Sequence, residues 1–201
     1  MKFIGVTGGV GAGKSAILSY LGQKPKTKVM LADEIAHFLM EPGSDCYMAL
    51  RREFAQEPIW QEDGRFDKEA LGKMIFSNPD KRERLNGIVH PAVKEYVRQQ
   101  QKLESEKGEL DFLILEAALL IEEKYNEICD ELWYIYTDSN VRRLRLKESR
   151  GYSDEKIDNI LASQLSEEEY RKACQVVIDN NGTFEESAAQ IENALRRYAH
   201  E

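Results

Sequence analysis

The chain has 201 residues, a formal net charge of −8 and an ordinary apolar share of 42%. That length suits one α/β domain with insertions, whose core buries about 70% of the unfolded surface and needs no staple. The acidic balance argues against a general nucleic-acid partner, which calls for a basic face; no apolar run approaches the about 18 residues of a membrane span.

The first element is an apolar run at 3–7 that reads as a buried strand. It enters directly at the N-terminus, which leaves no room for a signal peptide. Next comes Gly8-Gly9-Val10-Gly11-Ala12-Gly13-Lys14-Ser15, followed by Ala16, Ile17, Leu18 and Leu21 at helical spacing. Strand, glycine loop and helix in this order are the context of a Walker A phosphate loop. Glycines let backbone N–H groups curl inward and approach a phosphate, and the helix adds the positive end of its dipole. Gly11, Ala12, Gly13, Lys14, Ser15 and Ala16 are thus the expected nucleotide contacts. Lys14 supplies charge for the β- and γ-phosphates of ATP, and Ser15 a hydroxyl for Mg²⁺.

A second strand is expected at 28–32, with Asp33 at its end and a helix at 34–40. Asp33 can accept a proton from a substrate hydroxyl or hold Mg²⁺ through water, or it can simply cap that helix. Pro42-Gly43-Ser44 is a turn, and Ser44 or Asp45 suits the cap of a helix to about 54. Residues 60–66 read as a loop, and Asp67 suits the cap of a helix through 76. Another helix is expected from Ser77-Asn78-Pro79 to near Gly87; His90-Pro91 then interrupts, and Pro91 opens a long polar helix to about 107. His90 is a candidate substrate contact or a packing residue.

The apolar stretch 111–116 is a third strand ending in Glu116, placed as a Walker B acid and metal ligand or as a solvated strand end. Glu122 follows in reach of the same cleft or in solvent. A fourth strand is expected at 131–137, helices at 139–149, 153–164 and 166–173, a short strand at 176–178, and a last helix capped by Thr183. Residues 142–150 hold five basic side chains in nine. Planar guanidinium forks suit a lid that clamps a transferring phosphoryl group, and Arg143 and Arg150 are the expected members. Cys46, Cys129 and Cys174 show neither metal nor disulfide spacing, which fits a reduced cytoplasmic compartment.

Strands alternating with helices predict a parallel sheet covered on both faces, with ligands outside the C-terminal strand ends. The expected layout is one domain with its core at about 1–33, 108–138 and 174–201, a helical insertion at 34–107 and a lid at 139–173.

In its ordered motifs the chain resembles the dephospho-CoA kinases. The likeness runs through the loop, Ala32-Asp33-Glu34-Ile35-Ala36, Pro42-Gly43-Ser44, Ile88-Val89-His90-Pro91, Leu119-Leu120-Ile121-Glu122 and Val177-Ile178-Asp179-Asn180-Asn181-Gly182. The resemblance implies a three-layer P-loop α/β/α fold with a five-stranded parallel sheet, a CoA-binding insertion and a lid. It implies ATP-dependent phosphorylation of the ribose 3′-hydroxyl of dephospho-CoA by a monomer or weak homo-oligomer. Asp33 then falls on the general base, His90 on the acceptor side, and Asn180 to Gly182 near the adenine. The chain departs from the family pattern at Leu31, His37, Glu116 and Ala118, where Asp, Arg, Asp and Pro are usual. A nucleoside or nucleotide kinase of the same fold, a non-catalytic ATP-binding module and a switch-type nucleotide-binding protein are the competing readings. The switch lacks an Asn-Lys-x-Asp guanine motif.

Overall fold

A computed structural model describes residues 1–198; Ala199, His200 and Glu201, the end of the expected core, lie outside the described residues. The elements in chain order are β1 (Lys2–Thr7), α1 (Lys14–Gly22), β2 (Thr27–Leu31), α2 (Ala32–Leu39), α3 (Asp45–Glu53), α4 (Lys68–Ser77), α5 (Pro79–Lys107), β3 (Phe112–Glu116), β4 (Glu131–Tyr136), α6 (Ser139–Arg150), α7 (Asp154–Ala162), α8 (Glu167–Ala173), β5 (Val176–Asp179) and α9 (Phe184–Arg196). They form two compact units. One comprises Met1–Met30 and the chain from Leu103 onward; the other is Leu31–Lys102.

The first unit is built on a parallel five-stranded sheet of order β2-β3-β1-β4-β5. β1 is its middle strand, paired with β3 from Lys2↔Phe112 to Val6↔Glu116 and with β4 from Ile4↔Glu131 to Thr7↔Tyr134. Such a sheet is buried on both faces, so its strands are continuously apolar rather than alternating. Phe3, Ile4, Leu113, Ile114, Leu115, Trp133 and Ile135 are all fully buried. The chain crosses from β1 to the far side of β3, and β4 lies on β1's other flank, so the loop after β1 sits where the strand order reverses. Cys46, Cys129 and Cys174 are free and buried, and burial pushes the Cys174 thiol up to about 12.

Helix starts follow capping chemistry. Ser44, Asp67, Asp138 and Ser153 accept a backbone N–H with their side chains, and Ser166 and Thr183 form full capping boxes with Glu169 and Glu186. α1 and α2 lack such a cap, and α2 lacks the one expected of it. It begins at Ala32, with Leu31 at its cap position and no side-chain hydrogen bond there, so Asp33 lies inside the first turn and is not the cap.

The second unit is helical, with one isolated antiparallel bridge, Trp60↔Phe66, inside the expected loop at 60–66. The two helices expected on either side of His90-Pro91 are a single 29-residue helix, α5. Proline inside a helix removes the N–H that would serve the carbonyl four residues back and crowds that carbonyl. Here the residue four back is Gly87, and the helix nonetheless continues through Pro91. Pro91 itself is exposed. Pro91→Ala restores the missing bond without loss of burial and is expected to stabilise the protein by about 1–3 kcal/mol in urea unfolding. An unchanged or lowered midpoint shows that the packing of α5 requires the proline.

Candidate active site

The phosphate loop leaves β1 at the sheet's centre and ends in α1. Gly13 occupies the α1 cap position with φ +84 and offers no side-chain cap. That conformation belongs to glycine, and a Cβ there would meet the Asn180 amide nitrogen at 2.5 Å. The first-turn N–H groups of α1 are therefore unspent on side chains and form the positive end of the helix dipole, the ordinary setting for an anion. Ser15 and Ala16 are exposed in that turn. Lys14 curls back over the loop: its Nζ donates to the Gly8 carbonyl at 2.7 Å and stands 3.6 Å from Glu116 Oε1. Glu116 ends β3, the neighbour of β1, which is why the two meet.

The loop's far side is gripped at one carbonyl. Ala12 O accepts from Asn180 Nδ2 at 2.7 Å, Thr137 Oγ1 at 3.1 Å and Arg145 Nη1 at 3.4 Å. Asn180 is buried, and Ser187 Oγ donates to its Oδ1 at 2.8 Å, while its own carbonyl accepts from Arg145 Nη2 at 2.8 Å. The Asn180 side chain thus holds the loop from behind. Gly182 is exposed just before the α9 cap, where a Cβ would strike the Glu186 carboxylate of the capping box at 1.9 Å.

The arginines of α6 divide by helical face. Leu146 is the buried residue of this helix, and Arg142 and Arg145 flank it at i−4 and i−1, so both turn inward to the loop. Arg143 and Lys147 point the other way. Arg143 pairs with Asp158 at 2.5 Å and Asp154 at 3.4 Å, and Lys147 with Asp154 at 2.7 Å, tying α6 to α7. Hydrogen bonding to Asp158 raises the Arg143 pKa, and hydrogen bonding to Lys147 holds Asp154 below the usual carboxylate range. Arg150 ends the helix, exposed, 5.9 Å from the centre of the Tyr152 ring. Glu122 is exposed in the turn after β3.

The structure therefore brings Lys14, Ser15, Glu116 and Asn180 to one loop, and among the described residues no hydrogen bond or ion pair joins Arg143, Arg150, Gly182 or Glu122 to it. In the second unit, Asp33 is exposed one residue into α2 and His90 is half-buried within α5. Sequence reasoning missed Thr137, Arg142, Arg145, Gln164 and Ser187. For the two arginines the sequence signal was ambiguous: α6 also carries Val141 and Leu144, and only the structure shows that Leu146, not the exposed Leu144, marks the inward face.

Ser15 and Glu116 are a hydroxyl and a carboxylate near a phosphate loop, a donor set that suits Mg²⁺, which keeps several waters and takes few protein ligands. No described group of three His, Cys, Asp or Glu side chains could form a metal cage on its own.

The family model described as Dephospho-CoA kinase matches residues 2–186. Among curated relatives, the dephospho-CoA kinase of Shouchella clausii is 34% identical over 98% of this chain and 99% of its own. That of Symbiobacterium thermophilum is 33% identical over 98% of this chain and 81% of its own. Among solved structures, TT1252 from Thermus thermophilus superposes with a TM-score of 0.72 at 27% identity, covering 98% of this chain and 97% of that one. A match of this extent, on a chain whose central loop is built for phosphate, leaves one assignment: the chain belongs to the dephospho-CoA kinase family.

Proposed function

We propose that the protein transfers the γ-phosphoryl group of ATP to the ribose 3′-hydroxyl of dephospho-CoA, giving coenzyme A and ADP. The observation that carries the reading is the braced glycine loop opening onto the uncapped start of α1, in a chain of this family. The 3′-oxygen attacks the γ-phosphorus, the bond from that phosphorus to the β–γ bridging oxygen breaks, and ADP leaves with the bond's electrons. Asp33 takes the hydroxyl proton. Lys14 neutralises charge on the β- and γ-phosphates, and the α1 N-terminus and loop amides hold them in place. Ser15 and Glu116 would hold Mg²⁺, which when bound screens the phosphate charge.

Arg143 and Arg150 are the proposed clamp over the γ-phosphoryl group, which requires Arg143 to leave Asp158 and Asp154. His90 and Glu122 are assigned to the acceptor side, and Asn180 to Gly182 to the adenine side. For Asn180 the part is indirect, since its amide is committed to Ala12 and Ser187, its N–H to the Tyr136 carbonyl and its own carbonyl to Arg145. No described helix is long and apolar enough to cross a membrane. A reduced cytoplasmic setting accords with three free, buried cysteines.

The test is coupled ADP release from ATP with and without dephospho-CoA, beside a panel of nucleosides and nucleotides. Release that depends on dephospho-CoA supports the proposal. Equal release with a nucleoside acceptor moves the assignment to a nucleoside kinase, and no release with any acceptor leaves a binding module.

A further inference from the structure

The Val10 peptide, at the outer bend of the loop, is held at both ends. Its N–H donates to Gln164 Oε1 at 3.3 Å, and its carbonyl accepts from Arg142 Nε at 2.9 Å. Arg142 Nη2 also donates to the same Gln164 oxygen, which closes a three-cornered bracket. Gln164 stands between α7 and α8, and α8 is fastened to the sheet where Tyr170 stacks on Tyr134 of β4, rings 4.6 Å apart and 6° from parallel. The bracket therefore rests on the core. The Arg142 guanidinium lies flat against Gly9, where a Cβ would come within 2.2 Å of Nη2.

The electrostatics of the bracket are unusual. Arg142 is half-buried, and among the described residues no carboxylate pairs with it; burial lowers its pKa, opposed only by Tyr134 and Tyr170. A cation withdrawn from water normally acquires an acid partner. The acceptor here is a neutral amide. A Glu in the same place would accept the same hydrogen bonds and bind Arg142 more strongly, but it would cancel the charge.

We propose that Gln164 is a positioning residue for nucleotide binding: its neutral oxygen fixes the Val10 peptide and Arg142 while leaving the positive charge of Arg142 to act on the nucleotide's phosphates. This rests on the loop being the ATP site.

The experiment is isothermal titration of ATP into wild type, Gln164→Ala and Gln164→Glu, at low and high salt. Steady-state KM for each substrate and thermal unfolding are measured alongside. Gln164→Ala is expected to weaken ATP about tenfold by freeing the Val10 N–H and Arg142. Gln164→Glu is expected to unfold no earlier than wild type yet to weaken ATP about tenfold, with the deficit shrinking as salt rises. KM for dephospho-CoA stays near wild type in both. A merely structural brace would be rescued by Glu, so Gln164→Glu with wild-type ATP affinity overturns the inference. So does an unaffected Gln164→Ala. A wild-type protein that does not bind ATP overturns the proposed function instead.

Discussion

Asp33→Asn is expected to lower kcat by about 10²–10⁴-fold while leaving ATP affinity unchanged. The substitution keeps the shape and one acceptor oxygen but removes the ability to take a proton. Two features make the variant clean. Asp33 is exposed, so no core is disturbed, and it does not cap α2, whose cap position is Leu31. The structural loss is limited to the attraction between a first-turn acid and the helix dipole, about 0.3–1 kcal/mol. Single-turnover rates with saturating ATP and dephospho-CoA, beside titration of ATP alone, separate chemistry from binding. Full turnover in a variant that binds ATP normally removes Asp33 as the base and leaves its neighbourhood to positioning alone.

What could be read from the sequence follows from how local each feature is. The loop, its strand and its helix are contiguous, and glycine, lysine and serine at fixed spacing carry their own chemistry. The strands were equally legible, because a parallel sheet buried on both faces leaves unbroken apolar runs such as Phe-Leu-Ile-Leu in β3. What escaped is what tertiary contact decides. Asn180 was legible as part of the nucleotide site, but nothing nearby in sequence says that its amide is spent on Ala12, 168 positions away. Gln164 lies in a turn, outside any periodic pattern, and only the fold carries it to Val10. In the arginine-rich segment all five cations look alike until Leu146 identifies the inward face. Pro91 reads as a helix start by local rules, yet the structure carries α5 straight through it.

Lys14→Ala is expected to reduce kcat/KM for ATP by about 10²–10³-fold, through removal of one preorganised charge from the site of phosphoryl transfer. In the structure the ammonium group holds the loop's own Gly8 carbonyl and stands beside Glu116, so it already lies on the loop. The same geometry separates a catalytic from a structural effect. If Lys14 chiefly fastened the loop, the variant would lose folding stability, and Lys14→Met, which fills a similar volume without charge, would recover part of the activity. If it acts on phosphate, Met recovers none of it. The Lys14–Glu116 pair is mostly buried, with both side chains 16% exposed, so removing Lys14 leaves the Glu116 carboxylate without that partner and costs some folding stability in its own right. Urea unfolding beside ATP titration reads both quantities. A variant with wild-type kcat/KM removes Lys14 from the transfer. A variant whose activity falls only in step with its stability assigns it to the loop's architecture, whereas equal failure of alanine and methionine in folded protein assigns it to the phosphoryl charge, the one feature that neither can meet.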